Sequence, residues 1–108
     1  RRVSESAGAS GMKAVYHRHA VKDVRQILDY YEVESGERLA DRFFENLLAT
    51  VAKALANPRH FPPLDETVRR ANLRDFPYHV LYEEKPWGIK VLVVRHHQRH
   101  PRYGRGRR

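Results

Sequence analysis

Apolar positions recur along this chain with two different periods, and the change between them divides it. From Val21 the spacing is helical. Val21, Val24, Leu28 and Tyr31 fall at i, i+3, i+7 and i+10, with Ile27 widening the stripe. Gly36, between Ser35 and Glu37, predicts the stop of this helix and the start of the next. Leu39, Phe43, Phe44, Leu47, Leu48, Val51, Ala54 and Leu55 then trace a second, broader apolar face. Arg38, Asp41, Arg42, Glu45 and Lys53 lie mostly elsewhere on that helix. Asn57-Pro58 ends it, because proline disfavours a helical conformation in the residue before it. Phe61-Pro62-Pro63-Leu64 reads as an ordered loop.

Beyond that loop the period falls to two. Residues 68–74 have little apolar content and predict an edge strand. Tyr78, Val80 and Tyr82 alternate with His79, Leu81 and Glu83, with His79 expected half-buried and hydrogen-bonded. Residues 84–88 predict a hairpin loop carrying Trp87. Ile89, Val91 and Val93 alternate with Lys90, Leu92 and Val94, so both faces of the last strand are apolar and it should be central. Ahead of the helices, residues 13–17 predict a short strand with Ala14 and Tyr16 facing away from Val15. The order is β-α-α-β-β-β. It implies an α+β fold, two helices packed on one face of a small, mostly antiparallel sheet. The second sheet face then lacks a cover, and the expected shield is a segment of a partner.

Length and composition refine this picture. A chain of 108 residues supports one domain, expected over residues 12–103. Residues 1–11 read as a flexible leader or an expression remnant, and 104–108 as a basic tail. The absence of cysteine excludes disulfides, thiolate zinc sites and a cysteine nucleophile, and suits a reducing cytoplasm. No apolar run approaches the ~20 residues of a membrane span. Residues 95–108 hold six arginines and no acid, so +6 of the formal +8 sits there. Such a patch suits phosphates, an acidic partner or an anionic surface.

Several strings carry a family resemblance: Ile27-Leu28-Asp29-Tyr30-Tyr31, Ala40-Asp41-Arg42-Phe43-Phe44, Asn57-Pro58-Arg59, the run from Asn72 to Tyr82, and the run from Val91 to Pro101. In this order and spacing they resemble the RelE/ParE superfamily of bacterial toxins, from Met12 to about Tyr103. The resemblance implies a RelE/ParE-like fold and a toxin of a type II toxin–antitoxin system. It further implies neutralisation by a cognate antitoxin, ParD-like or similar, whose C-terminal segment wraps the toxin in a hetero-oligomer. RelE-like members cleave messenger RNA on the ribosome; ParE-like members poison DNA gyrase. The Phe76-Pro77-Tyr78-His79-Val80-Leu81-Tyr82 strand and the His97-Gln98-Arg99-His100-Pro101 ending look closer to the ParE-like side.

The two activities ask for different residues. Metal-independent RNA cleavage needs a base for the 2′-hydroxyl, a cation for the phosphate and an acid for the leaving oxygen. Arg74, Arg95, His97, His100 and Tyr103 are the candidates for that set. A gyrase poison needs only a binding surface, for which Arg95, His97, Arg99 and Arg102 are the candidates. Arg69, Arg70 and Trp87 are candidate antitoxin contacts, with a solvated edge-strand pair the alternative for the two arginines. His96, His97 and His100 invite a metal reading. Adjacent strand residues point to opposite faces, however, and the neighbouring arginines repel a cation, so neither a metal nor a cofactor is expected.

Overall fold

A computed structural model of the chain describes residues 6–9 and 11–108. The change from strand to helix at the start of the domain is made by His17, whose Nδ1 accepts the His19 N–H at 3.0 Å and caps the helix that follows. Seven elements result: β1 (Ser6–Ala9), β2 (Met12–Tyr16), α1 (Arg18–Ser35), α2 (Glu37–Ala56), β3 (Val68–Asn72), β4 (Tyr78–Lys85) and β5 (Gly88–His96). From Met12 onward the order is the expected β-α-α-β-β-β. Ser6–Ala9 adds a strand antiparallel to β2, so part of the stretch read as a leader joins the sheet. The remainder of residues 1–5 and Ser10 lies outside the described residues.

The sheet order is β1-β2-β5-β4-β3. β2 and β5 run parallel, with both helices, β3 and β4 between them along the chain, and the other pairs are antiparallel. β5 is central and β3 is an edge, as its sparse apolar content predicts. That edge is partly closed by the preceding loop: Leu64 N–H and Asp65 N–H both donate to Val68 O, and Arg70 N–H donates to Pro62 O. Gly88 starts β5 where β2 crosses closest. Its φ is +144°, and a Cβ there would lie 1.9 Å from Lys13 O.

Two expectations about the last hairpin are corrected. The strands continue through Glu84 and Lys85, and the turn is only Pro86-Trp87, with Lys85 registered opposite Gly88. The strict alternation along β5 also fails. Leu81 pairs with Val93 but Tyr82 with Val91, so Leu92 is an extra residue, a β-bulge. Ile89, Val91 and Val94 therefore face the helices, whereas Leu92 and Val93 face away.

The main core lies between the helices and the sheet, built on Val24, Leu28, Phe43, Leu47, Val51, Tyr82, Ile89 and Val91. Tyr31, Phe43, Phe76 and Tyr78 form its aromatic end, with Phe43 and Tyr78 ring centroids 5.2 Å apart. Tyr30, beside Tyr31, remains 58% exposed. A smaller cluster, Val68, Leu81, Leu92 and Val93, occupies the opposite sheet face, with Tyr103 packed against it. Its cover is not a partner, as expected from the strand pattern, but the chain's own C-terminal arm. Residues 98–108 fold back in successive turns over this face, and residues 104–108, read as a basic tail, are held there by Arg107 on Asp23 of α1 and on the Leu92 carbonyl of β5.

Candidate functional site

The C-terminal arm rests on two polar anchors, the first of which follows from where β2 ends. β2 stops at Tyr16, and His17 N–H makes the next ladder bond to Val91 O at 2.8 Å. The rest of β5 passes beside α1 with its edge unpaired by any strand. Asp23, on the inner side of α1 and 3% exposed, supplies the missing partner. Its Oδ2 accepts the Val94 N–H at 3.1 Å. The same carboxylate accepts the Tyr103 hydroxyl at 2.6 Å and Arg107 Nη1 at 2.7 Å. Arg107 also donates to Leu92 O at 2.9 Å, which closes the β5 edge from the arm's side. Arg105 pairs with Asp65 in the loop before β3.

The second anchor is a line of side chains across the sheet face that the arm covers. Arg95 is 6% exposed. Its Nη1 donates to Pro101 O at 2.8 Å and to Tyr103 O at 2.9 Å, while its Nε donates to His79 Nε2 at 2.9 Å. His79, 1% exposed, stacks on His97 and lies 2.9 Å from it, Nδ1 to Nδ1. Arg70 Nη2 approaches the same His97 Nδ1 at 3.4 Å.

The guanidinium assigns the protons in this line, because it can only donate. His79 Nε2 must accept from Arg95, so the His79 proton sits on Nδ1. That N–H donates to His97 Nδ1, and the His97 proton is therefore on Nε2. Both rings are neutral. Burial, and then the neighbouring Arg70 and Arg95 charges, lower the His79 pKa to about 3, and the same kinds of effect lower that of His97. The line cannot run in reverse, since Arg95 has no lone pair with which to take a proton.

A groove of about 180 Å³ lies between α1 and the arm, lined by Asp23, Ile27, Tyr30, Tyr78, His96 and Arg99 among others. Arg99 stacks its guanidinium over the Tyr103 ring at 4.1 Å. Among the described residues, no group of three His, Cys, Asp or Glu side chains is gathered as a metal site would need. Among the same residues, no helix is long and apolar enough to cross a membrane.

A family model described as the ParE toxin of the type II toxin–antitoxin system, parDE, matches residues 14–101. The chain belongs to this toxin family. A chain of the chromosomal ParDE TA system from P. aeruginosa matches with a TM-score of 0.68 at 24% identity, covering 80% of this chain and 96% of that one. At that identity the likeness is one of fold. No curated protein matches the chain.

Within this ParE toxin, the residues singled out by sequence are only partly brought together. Arg95, His97 and Tyr103 converge on the covered sheet face, linked through His79 and through the arm carbonyls. Arg95 was expected as a target contact, but it is turned inward with its donors committed to holding the arm. Arg74 stands apart on the loop after β3, its side chain 87% exposed and 3.8 Å from Asp75. His100 is exposed, and its Nδ1 accepts the Arg102 N–H at 3.1 Å, stabilising a turn of the arm. Arg99 and Arg102 do face solvent.

The Arg69-Arg70 pair is split by the pleat. Arg69 Nη1 donates to Phe61 O at 2.7 Å, tying down the loop before β3, while Arg70 faces His97 on the other side of the sheet. The two therefore cannot grip one acidic segment together. Trp87 is half-exposed at the hairpin tip, and its carbonyl accepts the Lys13 N–H. Asp23 is the functional-site residue that sequence reasoning passed over. The available signal was its position three residues after Ala20 and four before Ile27, on the apolar stripe of α1, where a carboxylate must find buried donors.

Proposed function

We infer that this ParE-family toxin acts by binding DNA gyrase and inhibiting it, in the cytoplasm, and that a cognate ParD-like antitoxin neutralises it in a hetero-oligomer. The observation that carries this reading is the fixed proton order of Arg95, His79 and His97. RNA cleavage needs a base and an acid close to the phosphate. The inward nitrogen of His97 is occupied as an acceptor and the outward one already bears a proton. A neutral imidazole in that state is neither a base nor a useful acid. The Tyr103 proton is committed to Asp23, and the Arg95 donors to His79 and to the arm. Of the residues that a nuclease would use, Arg95, His97 and Tyr103 are thus engaged in this network, and the arm presents Arg99 and Arg102 to solvent. A preorganised cationic surface suits a binding poison.

Two assays with purified toxin test the reading. Gyrase supercoiling should be inhibited, and messenger RNA on programmed ribosomes should remain intact. Normal supercoiling at micromolar toxin, or codon-specific cuts in the message, overturns it.

A further inference from the structure

The outward side of the histidine line is unused by the arm. Arg70 Nε donates to Asn72 Oδ1 at 2.9 Å, which takes up the amide oxygen and leaves the Asn72 Nδ2 hydrogens to point elsewhere. Arg70 Nη2 lies against His97 Nδ1, and the His97 Nε2–H, by the proton order above, faces away from His79. His97 and Asn72 are exposed and Arg70 is half-buried. Three side chains from β3 and the end of β5 therefore present a guanidinium, an amide N–H and an imidazole N–H at one end of the sheet face. We propose that Arg70, Asn72 and His97 form a phosphodiester-binding site for a nucleic-acid backbone.

The donor set matches that chemistry. A phosphodiester carries a single charge over two non-bridging oxygens, and here one fixed cation stands between two neutral donors. His97 is a donor by construction, because buried His79 and Arg95 behind it leave no other tautomer. It therefore adds a hydrogen bond without adding a charge. The setting favours a chain of phosphates over a lone carboxylate. Arg74 follows Asn72 by two residues and its side chain is 87% exposed, so a second cation is available beside the trio. A repeating anion can meet both cations, whereas a single acid cannot. This site goes beyond the gyrase reading and is measured without gyrase, so the two can fail separately.

The test is binding of the full chain to a short DNA duplex and to an RNA stem-loop over a range of salt concentrations. Arg70→Met should weaken binding roughly tenfold and lower the slope of log affinity against log salt by about one, as loss of one cationic phosphate contact requires. His97→Phe should weaken binding several-fold with the slope unchanged, because the lost donor is neutral. Inorganic phosphate added to the unmodified protein should move the ¹⁵N resonance of His97 Nε2 saturably, a readout that needs no variant to fold. Equal losses on DNA and RNA support a backbone site, and a loss on one alone supports it and names the source. Unchanged affinity in both variants, or a His97 resonance indifferent to phosphate, overturns the proposal. A lowered slope in His97→Phe overturns its neutral-donor basis.

Discussion

Asp23→Ala is the perturbation that probes this molecule most sharply. The carboxylate is buried, and it accepts hydrogen bonds from the Val94 amide, the Tyr103 hydroxyl and the Arg107 guanidinium. Removing it strands a backbone N–H at the edge of the central strand and leaves Arg107 charged without its partner. Loss of one member of a buried pair costs about 3–5 kcal/mol. Arg107 is 12% exposed on its side chain and can swing outward, so the low end, about 3 kcal/mol, is expected. For a domain of this size that corresponds to a fall in Tm of roughly 10 °C or more. Urea unfolding measures the stability. Limited trypsin digestion reports on the arm, whose arginines should become cleavable before the domain unfolds. Asp23→Leu combined with Arg107→Leu should recover part of the loss, because no charge is then left buried. A cost below about 1 kcal/mol with an arm still resistant to trypsin would refute the anchoring role.

Three further outcomes follow from the same geometry. Gly104→Ala should cost about 2–4 kcal/mol, since φ is +78° and its Cβ would sit 2.4 Å from Val93 Cγ2. Gly106→Ala shares the positive φ but meets nothing, and should cost only about 1 kcal/mol; equal costs would refute the packing of the arm on Val93. His79 is neutral when folded, with its pKa lowered from 6.5 to about 3, so the unfolded chain binds the extra proton. Its contribution is complete above pH 6.5 and falls by at most about 1.4 kcal/mol per unit as pH drops towards 3, a slope that His79→Gln should reduce in denaturant titrations. Arg99→Ala and Arg102→Ala should each weaken gyrase inhibition in graded fashion and leave urea unfolding nearly unchanged. An all-or-none loss in either would point to catalysis.

The local signals in the chain were sufficient for the two helices and for the presence of β2 to β5, though not for β1 or the ends of the last hairpin. Helical spacing from Val21 to Leu55, broken at Gly36 and ended by Asn57-Pro58, marks two helices because each rule acts within a few residues. The sparse apolar content of residues 68–72 marks an edge strand, and the doubly apolar run from Ile89 to Val94 a central one, because burial on one or two faces is written into the alternation. The family strings lie in the same segments. Other features were settled by contacts between distant residues. The bulge at Leu92 exchanges the faces of Val93 and Val94, and only pairing with β4 reveals it. Arg95 and Arg107 look in sequence like part of one solvated cationic tail. Arg107 turns inward because β2 ends early and leaves β5 an open edge, and Arg95 because it lies on the sheet face that the arm covers. Charge at the C-terminus was legible from composition. Which arginines hold the fold and which face a partner was decided by where the strands stop pairing and which sheet face the arm covers, since a buried donor must find an acceptor and an exposed one need not.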